Sequence, residues 1–406
     1  RDAFLALPQR VETLAQGLKK CSIRVQEADP RGGIFTVQVD LRIIEPERFG
    51  AALLYFTGSK DHNIRLRERA LARGYSLNEY GLFPLRKGER GEQSDRPRRS
   101  KPVAAATEEE IYKALGLRWI PPELREDTGE IDAAEQGPFT LIERADIRAE
   151  LHAHTTASDG ALSIVELARA AKARGLRVIA VTDHSRSQPV AGGLDAETLR
   201  QHVEDVRQAR SLVKGVRILA GSEVDILADG SLDYDDRTLS LLDIVVASPH
   251  SALSQPAAKA TARLIRAIEH PCVDILGHPT GRLIGRREGL SPDVAAVAQA
   301  AREHGVALEV NAHWMRLDLR DAHVRLALEH GALIAVDCDV HREADFENLR
   351  FGLLTARRGW LDAGRCVNCF SERKLLAWLH RRRPSTAASR AAAGDARRRR
   401  GAAAKR

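Results

Sequence analysis

Between residues 150 and 341 the chain repeats one pattern, a short apolar run rich in β-branched residues that ends in a metal-binding type of side chain. The first, Glu150-Leu-His-Ala-His-Thr-Thr-Ala-Ser-Asp-Gly160, places His152 and His154 two apart and Asp159 in a Ser-Asp-Gly turn. In a strand, residues i and i+2 face the same way, so the two imidazoles project together. Later runs end in Asp183 and His184, Glu223, His250, His278, Asn311, and Asp339 with His341. From His154 to Asp339 these ends recur every 27 to 39 residues, about one strand-plus-helix unit. The segments between them read as helices. Ser163 to Gly175 carries an Ile/Leu/Ala stripe and stops on glycine, and Ser291-Pro-Asp to Gly305 offers an N-cap serine, an early proline and a glycine stop. Seven buried parallel strands alternating with helices predict a closed or nearly closed α/β barrel, whose C-terminal rim gathers the polar ends. Scattered core and surface histidines are the alternative, and recurrence at one end of every run argues against it.

Composition bounds the remaining possibilities. At 406 residues the chain has room for two domains and extras. No run of eighteen apolar residues predicts a membrane span, and no signal peptide opens the chain. It starts at Arg1, as a fragment with its beginning missing would. Five cysteines argue against a disulfide framework and for a reducing cytoplasm. Cys366-x-x-Cys369 has no second pair nearby and reads as two incidental thiols. The net charge of +7 is concentrated at the end, where residues 381–406 hold ten Lys/Arg against Asp395. That Ala/Arg-rich tail is expected to be disordered; it suits nucleic-acid phosphates or a merely solvated appendage.

The N-terminal third is organised differently. Phe35–Ile44 alternates as a strand carrying Asp40 and Arg42, and 49–55 reads as a helix. Tyr55-Phe-Thr-Gly-Ser-Lys-Asp-His-Asn63 makes a polar turn, a second helix runs to Gly74, and 77–83 is strand and turn. Residues 88–102 form a charged, proline-containing linker, and Thr107-Glu-Glu-Glu opens another helix.

The pieces HAHTTASDG, VTDHS, GSEVDIL, ASPHS, DILGHPTGR and CDVH resemble the polymerase and histidinol phosphatase (PHP) domain. More narrowly, GSEVDILADGSLD, GHPTGRLI and RLDL resemble the PHP domain of bacterial and archaeal family X DNA polymerases, over about residues 108–369. The resemblance implies a distorted (β/α)7 TIM-like barrel with up to three metal ions held by His152, His154, Asp159, His184, Glu223, His250, His278, Asp339 and His341. It groups His152 and His154 with Glu223 and Asp339, then Glu223 with His250 and His278, then Asp159 with His184 and His341. Glu223 is the expected bridge, and His152, His154, Glu223, Asp339 and His341 are the expected catalytic set. Mixed His and carboxylate donors suit Mn²⁺ first, with Zn²⁺ or Fe²⁺ as alternatives.

VDLR, YFTGSKDHN and LNEYGLF resemble the palm and thumb of the same polymerases, an α+β segment before the barrel. That likeness places one palm carboxylate on Asp40 and nucleotide contacts on Tyr55, Phe56, Gly58, Asn63 and Arg67, with Mg²⁺ for any polymerase activity. The other two palm carboxylates have no counterpart before Asp40, so polymerase activity is not expected of the chain as it stands. The implied organisation is a partial palm over 1–45, a thumb-like segment and linker over 46–125, the PHP domain over 126–370 and the basic tail over 371–406.

A phosphodiester also needs cations away from the metals, and Arg282, Arg286 and Arg316 follow the fifth and sixth strand ends. Asp183 is expected to orient a ring, Asn311 to meet a bound water or serve structure, and Asp337 to be buried support. The function read here is a metal-dependent phosphoesterase, a 3′-to-5′ exonuclease on gapped or single-stranded DNA ends in repair. A phosphomonoesterase (3′-phosphatase or histidinol-phosphatase type) is the alternative within enzymes, and a non-catalytic DNA-tethering module the alternative outside them.

Overall fold

A computed structural model describes residues 1–28, 33–85 and 101–381, in two compact units, Arg1–Phe139 and Thr140 onward. Most of the charged 88–102 stretch and the basic tail past residue 381 lie outside the described residues. No helix among the described residues is long and apolar enough to cross a membrane.

The first unit opens with an antiparallel meander, β1 (Arg10–Gln16), β2 (Lys20–Ala28) and β3 (Ile34–Arg42), with Asp40 on its last strand opposite Ser22. Helices Phe49–Thr57 and Lys60–Ala72 follow, then the hairpin of β4 (Tyr75–Asn78) and β5 (Gly81–Pro84) and the helix Glu108–Ala114. Ser59 and Thr107 cap two of these helices by accepting from the His62 and Glu110 amides. The small core contains paired polar groups. Arg125 forks onto Glu108 with two bonds of 2.7 Å, and His62 lies between Glu130 at 2.6 Å and the Tyr112 hydroxyl at 2.9 Å. Each buried charge thus meets a partner, the condition for burying it at all.

The second unit is the barrel. Its strands are β6 (Ala149–Glu150), β7 (Val178–Val181), β8 (Arg217–Asp225), β9 (Ile244–Ser248), β10 (Ile275–Leu276), β11 (Ala307–Asn311) and β12 (Leu333–Asp337). They hydrogen-bond in sequence order, each pair parallel, as the strand–helix rhythm predicts. The ring closes beyond the first and last strands, where Ala153 bridges Val340 and the His154 amide donates to the Val340 carbonyl at 2.8 Å.

Alternation along each strand divides the core. Val178, Ala180, Ile244, Val246 and Ala335 pack into the barrel interior, while Ile179, Val181, Val245 and Val336 face the helices. The interior end is plugged by the helix Glu372–His380, whose Leu375, Trp378 and Leu379 are buried. The expectation of a tail from residue 371 is corrected here, because an apolar stripe gives the first turns of that segment a place to pack. Two helix starts deserve comparison. Ser163 and Glu166 form a capping box at the helix expected there, but Asp293 rather than Ser291 caps Val294–His304, the helix beginning after Pro292.

Candidate metal centre

The nine side chains that the resemblance implies as metal donors meet on the C-terminal rim. Glu223, near the end of β8, is the hub. Its Oε1 lies 3.4 Å from His152 Nε2, 3.3 Å from His250 Nε2 and 3.3 Å from His278 Nε2. Its Oε2 lies 2.9 Å from His184 Nδ1 and 3.7 Å from His154 Nε2. Asp339 Oδ1 approaches His154 Nε2 at 3.1 Å, His341 Nδ1 at 3.5 Å and His152 Nε2 at 3.6 Å. Asp159 joins from its turn, 3.3 Å from His341 Nε2 and 3.5 Å from His184 Nε2. That turn is tight: a Cβ on Gly160 would sit 2.4 Å from the His154 carbonyl oxygen, which explains the glycine. Asp339 itself takes a left-handed backbone, φ 53°, a conformation aspartate tolerates better than most residues.

Several of the atoms facing inward have no hydrogen-bond partner although buried: His152 Nε2, His154 Nδ1 and Glu223 Oε1. His250 Nε2 and His278 Nε2 stand 3.1 Å apart. Buried lone pairs aimed at one another are costly unless a cation lies among them. The donors fall into overlapping groups, each able to meet at one ion: His154, Asp159, His184 and His341; His152, His154 and Asp339; His184, Glu223 and His250. A further group, His152, His278 and Glu309, brings in a carboxylate that the sequence reading passed over.

The electrostatics follow from crowding. Burial pulls the His184 pKa down, but Glu223 and Asp159 reverse this and carry it up to about 10. His250, against burial, is raised to about 9 by Glu223 and Asp225, and His341 to about 9 by Asp159 and Asp339. His154 moves the other way, to about 4, through burial and the neighbouring His184. Glu223 and Asp339 stay ionised despite burial because imidazoles surround them. Without metal the cluster therefore holds protons where ions would sit.

Other groups hold the donors in place. Glu309, on β11, accepts from His152 Nδ1 at 2.6 Å and from the His278 backbone amide at 2.5 Å. Asp225, two residues after Glu223, accepts from His250 Nδ1 at 2.5 Å. Both bonds occupy Nδ1 and turn Nε2 toward the centre. The Asn311 amide donates to Asp339 Oδ2 at 3.0 Å, so it positions a carboxylate. Asp337 is buried and accepts from the Leu151 amide at 2.9 Å and Asn368 at 2.6 Å, which is support as expected. Asp183 orients no metal-facing ring: it takes bonds from Thr155 and Ser158, anchoring the Asp159 turn, and lies 2.8 Å from His202 Nε2. Strand alternation alone marks Asp225 as sharing a face with Glu223, and Glu309 as sharing one with Asn311.

The three arginines differ. Arg316 Nε lies 3.7 Å from Asp339 Oδ2 and faces the centre. Arg282 spends its guanidinium on the Arg316 and Leu317 carbonyls, so it braces a loop and is not free to fork onto a phosphate there. Arg286 is exposed beside a neighbouring cleft. In the first unit, Asn63 donates to the Tyr55 carbonyl at 2.8 Å, Tyr55 and Phe56 meet edge to face, and Arg42 covers Phe56. Asp40 and Arg67 are exposed, and Gly58 ends its helix at φ 76°.

The PHP domain family matches residues 150–313, and the DNA polymerase beta thumb family matches residues 52–126. A probable phosphatase of Caldanaerobacter subterraneus is 34% identical over 203 residues, 75% of its length and 47% of this chain. The chain belongs to the PHP family. Asp339 and His341 of this PHP chain lie past the matched segment and are joined to it by the barrel's closure. The DNA polymerase/3′-5′ exonuclease PolX of Bacillus subtilis is 39% identical over 381 residues, 94% of this chain but 64% of that protein. The resemblance to the C-terminal part of a family X polymerase is thereby borne out, with the chain spanning less than two thirds of that relative. A solved structure, Leishmania infantum polymerase beta in a ternary complex, is 30% identical over 31% of this chain with a TM-score of 0.27, too partial to bear on the fold.

Proposed function

We propose that this chain is a metal-dependent phosphoesterase that removes nucleotides from DNA 3′ ends, as a 3′-to-5′ exonuclease in repair. The observation that carries the phosphoesterase reading is the rim itself, six imidazoles and three carboxylates converging with buried, unpartnered nitrogen and oxygen atoms. That donor set fits two or three divalent ions, Mn²⁺ foremost and Zn²⁺ or Fe²⁺ next, held in the groups named above. When bound, such ions supply Lewis acidity toward phosphoryl oxygens and lower the pKa of water from about 15.7 toward about 7.

The chain's own residues then have separable tasks. Glu223 neutralises charge between neighbouring sub-sites, and Glu309 and Asp225 fix the rings of His152 and His250 with Nε2 inward. Arg316, beside Asp339, is placed to take a non-bridging phosphate oxygen. Support for DNA comes from the thumb match and from the name of the Bacillus relative, a polymerase and 3′-5′ exonuclease. In this reading residues 1–45, with Asp40, belong to a palm, residues 126–370 to the PHP domain, and the protein works in the cytoplasm. A phosphomonoesterase is the second reading, favoured by the probable phosphatase relatives, of which the chain covers 75% and 80%. A non-catalytic tether accounts less well for a complete donor set.

The test is to assay a labelled single-stranded 3′-OH oligonucleotide beside a small phosphomonoester, both with Mn²⁺. The parent should shorten the oligonucleotide faster than it hydrolyses the monoester. Asp339→Ala/His341→Ala should lower that rate by orders of magnitude with an unchanged circular dichroism spectrum. Equal rates in parent and variant would place the chemistry elsewhere, and preference for the monoester would favour the second reading.

A further inference from the structure

The loop after β11 separates the metal centre from a cleft of about 790 Å³, within the usual range of about 300–1,000 Å³ for ligand sites. On one side of the loop Arg316 reaches Asp339. On the other, Arg282 binds the carbonyls of Arg316 and Leu317, and the Ile284 amide donates to the Met315 carbonyl at 2.7 Å. The cleft starts at Thr280, two residues past the donor His278. Four arginines line it (282, 286, 287 and 320), against Glu288 and Asp318; Arg287, like Arg282, is spent on backbone, donating from Nε and Nη2 to the Gly281 carbonyl at 3.0 and 2.7 Å. Asp318 is buried, and its Oδ2 accepts from the Thr280 amide and hydroxyl and the Gly281 amide at 2.9–3.0 Å. Arg286 and Arg320 are exposed.

Two large apolar side chains are open to solvent here: Ile284, at 49%, lines the cleft, and Trp314, at 51%, directly precedes Met315, whose carbonyl takes the Ile284 amide. The Trp314 ring is backed by His313, centroids 5.8 Å apart and 24° from parallel. His313 is itself held, since its Nδ1 accepts from the Met315 amide at 3.3 Å. A supported, half-exposed indole beside unspent cations is the combination that binds single-stranded nucleic acid, with stacking for a base and charge for the backbone.

We propose that Trp314 stacks a base near the 3′ end while Arg286 and Arg320 hold the backbone phosphates of the nucleotides that follow along the cleft. The proposal rests on the reading of the metal centre as a phosphodiester site, and it makes Trp314 a specificity-determining residue, since a small phosphoester has no base for it to grip.

The experiment separates the two readings. Binding of a 5′-labelled single-stranded oligonucleotide to the full chain is followed by fluorescence anisotropy in EDTA, where no chemistry is needed. A matched strand with abasic 3′-terminal positions is the comparison. Trp314→Ala should weaken the natural strand about tenfold and the abasic strand less than about twofold, with Trp314→Phe recovering most of the loss. Arg286→Ala/Arg320→Ala should weaken both strands and reduce the salt dependence by about one to two ions. With Mn²⁺, Trp314→Ala should raise KM for the oligonucleotide more than it lowers kcat. Equal losses on both strands, or no loss on the natural one, would overturn the subsite. A parent that binds as described yet cleaves no phosphoester would instead overturn the reading of the centre.

Discussion

Glu309→Gln isolates what a single carboxylate does for the rim. Glu309 is fully buried, with one oxygen 2.6 Å from His152 Nδ1 and the other 2.5 Å from the His278 amide. Glutamine keeps the volume but offers one acceptor oxygen, so its NH₂ must face one of two donors. Leaving one donor unsatisfied costs about 1–3 kcal/mol of stability. If the amide turns its nitrogen toward His152, the ring loses the bond that fixes Nε2 inward. Loss of such a supporting bond typically weakens a metal site about 10–100-fold, or about 1.4–2.8 kcal/mol. Mn²⁺ titration by isothermal calorimetry reads the affinity, and thermal melts in EDTA read the stability. We expect a Kd raised at least tenfold and a modestly lower Tm. Parent-like Mn²⁺ affinity in a folded variant would refute the claim that Glu309 positions His152 and His278 for metal.

Further outcomes follow from the same geometry. His184, His250 and His341 have folded-state pKa values raised to about 10, 9 and 9. Their stabilising effect on the metal-free protein is fully present below their unfolded value of about 6.5 and is lost as pH rises through 9 to 10, so Tm in EDTA should fall over that window. Mn²⁺ affinity should rise with pH up to those folded values, because ligation displaces the ring protons; affinity measured at pH 6.5 and 8.5 checks it. In the first unit, Arg125→Met should strand the buried Glu108 carboxylate at a cost of about 3–5 kcal/mol, read by urea denaturation.

Much of the barrel and its donors was legible because both depend on local pattern. Each run from Val178 to Asp337 needs only β-branched and other apolar residues to form a buried strand, and the residues at or just past its end are on the rim by construction. Glu309 and Asp225 were missed for a related reason. Glu309 sits in mid-strand, where a carboxylate reads as an interruption of the apolar run, Asp225 closes β8 two residues beyond Glu223, which already supplies the strand-end carboxylate, and the partners of both come from other strands. His152 is 157 residues from Glu309 and His250 is 25 from Asp225. The role of Arg282 was likewise hidden, because the carbonyls it caps belong to a loop more than thirty residues on. The helix 372–380 was masked by the arginines that follow it, although Leu375, Trp378 and Leu379 carry an apolar stripe.

The supports for the rim all run between strands. Glu309 of β11 holds His152, just past β6, and His278, just past β10; Asp225 of β8 holds His250, just past β9; Asn311 of β11 holds Asp339, just past β12. The closing bridge between Ala153 and Val340 lies between the two donor histidines of the first strand end and the last donor pair. No donor group is complete on one strand, and the groups that join His152 or His154 to Asp339, His341 or Glu309 form only when the ring is closed, so ions bound in them favour closure by the same linkage. The buried, unpartnered nitrogens are then a cost carried by the metal-free fold, and metal binding should remove it. Weakening closure at Ala153 or Val340 should therefore reduce metal affinity, and removing Asp159, which pairs with His184 and His341, should cost affinity together with the metal-free stability those pairs supply.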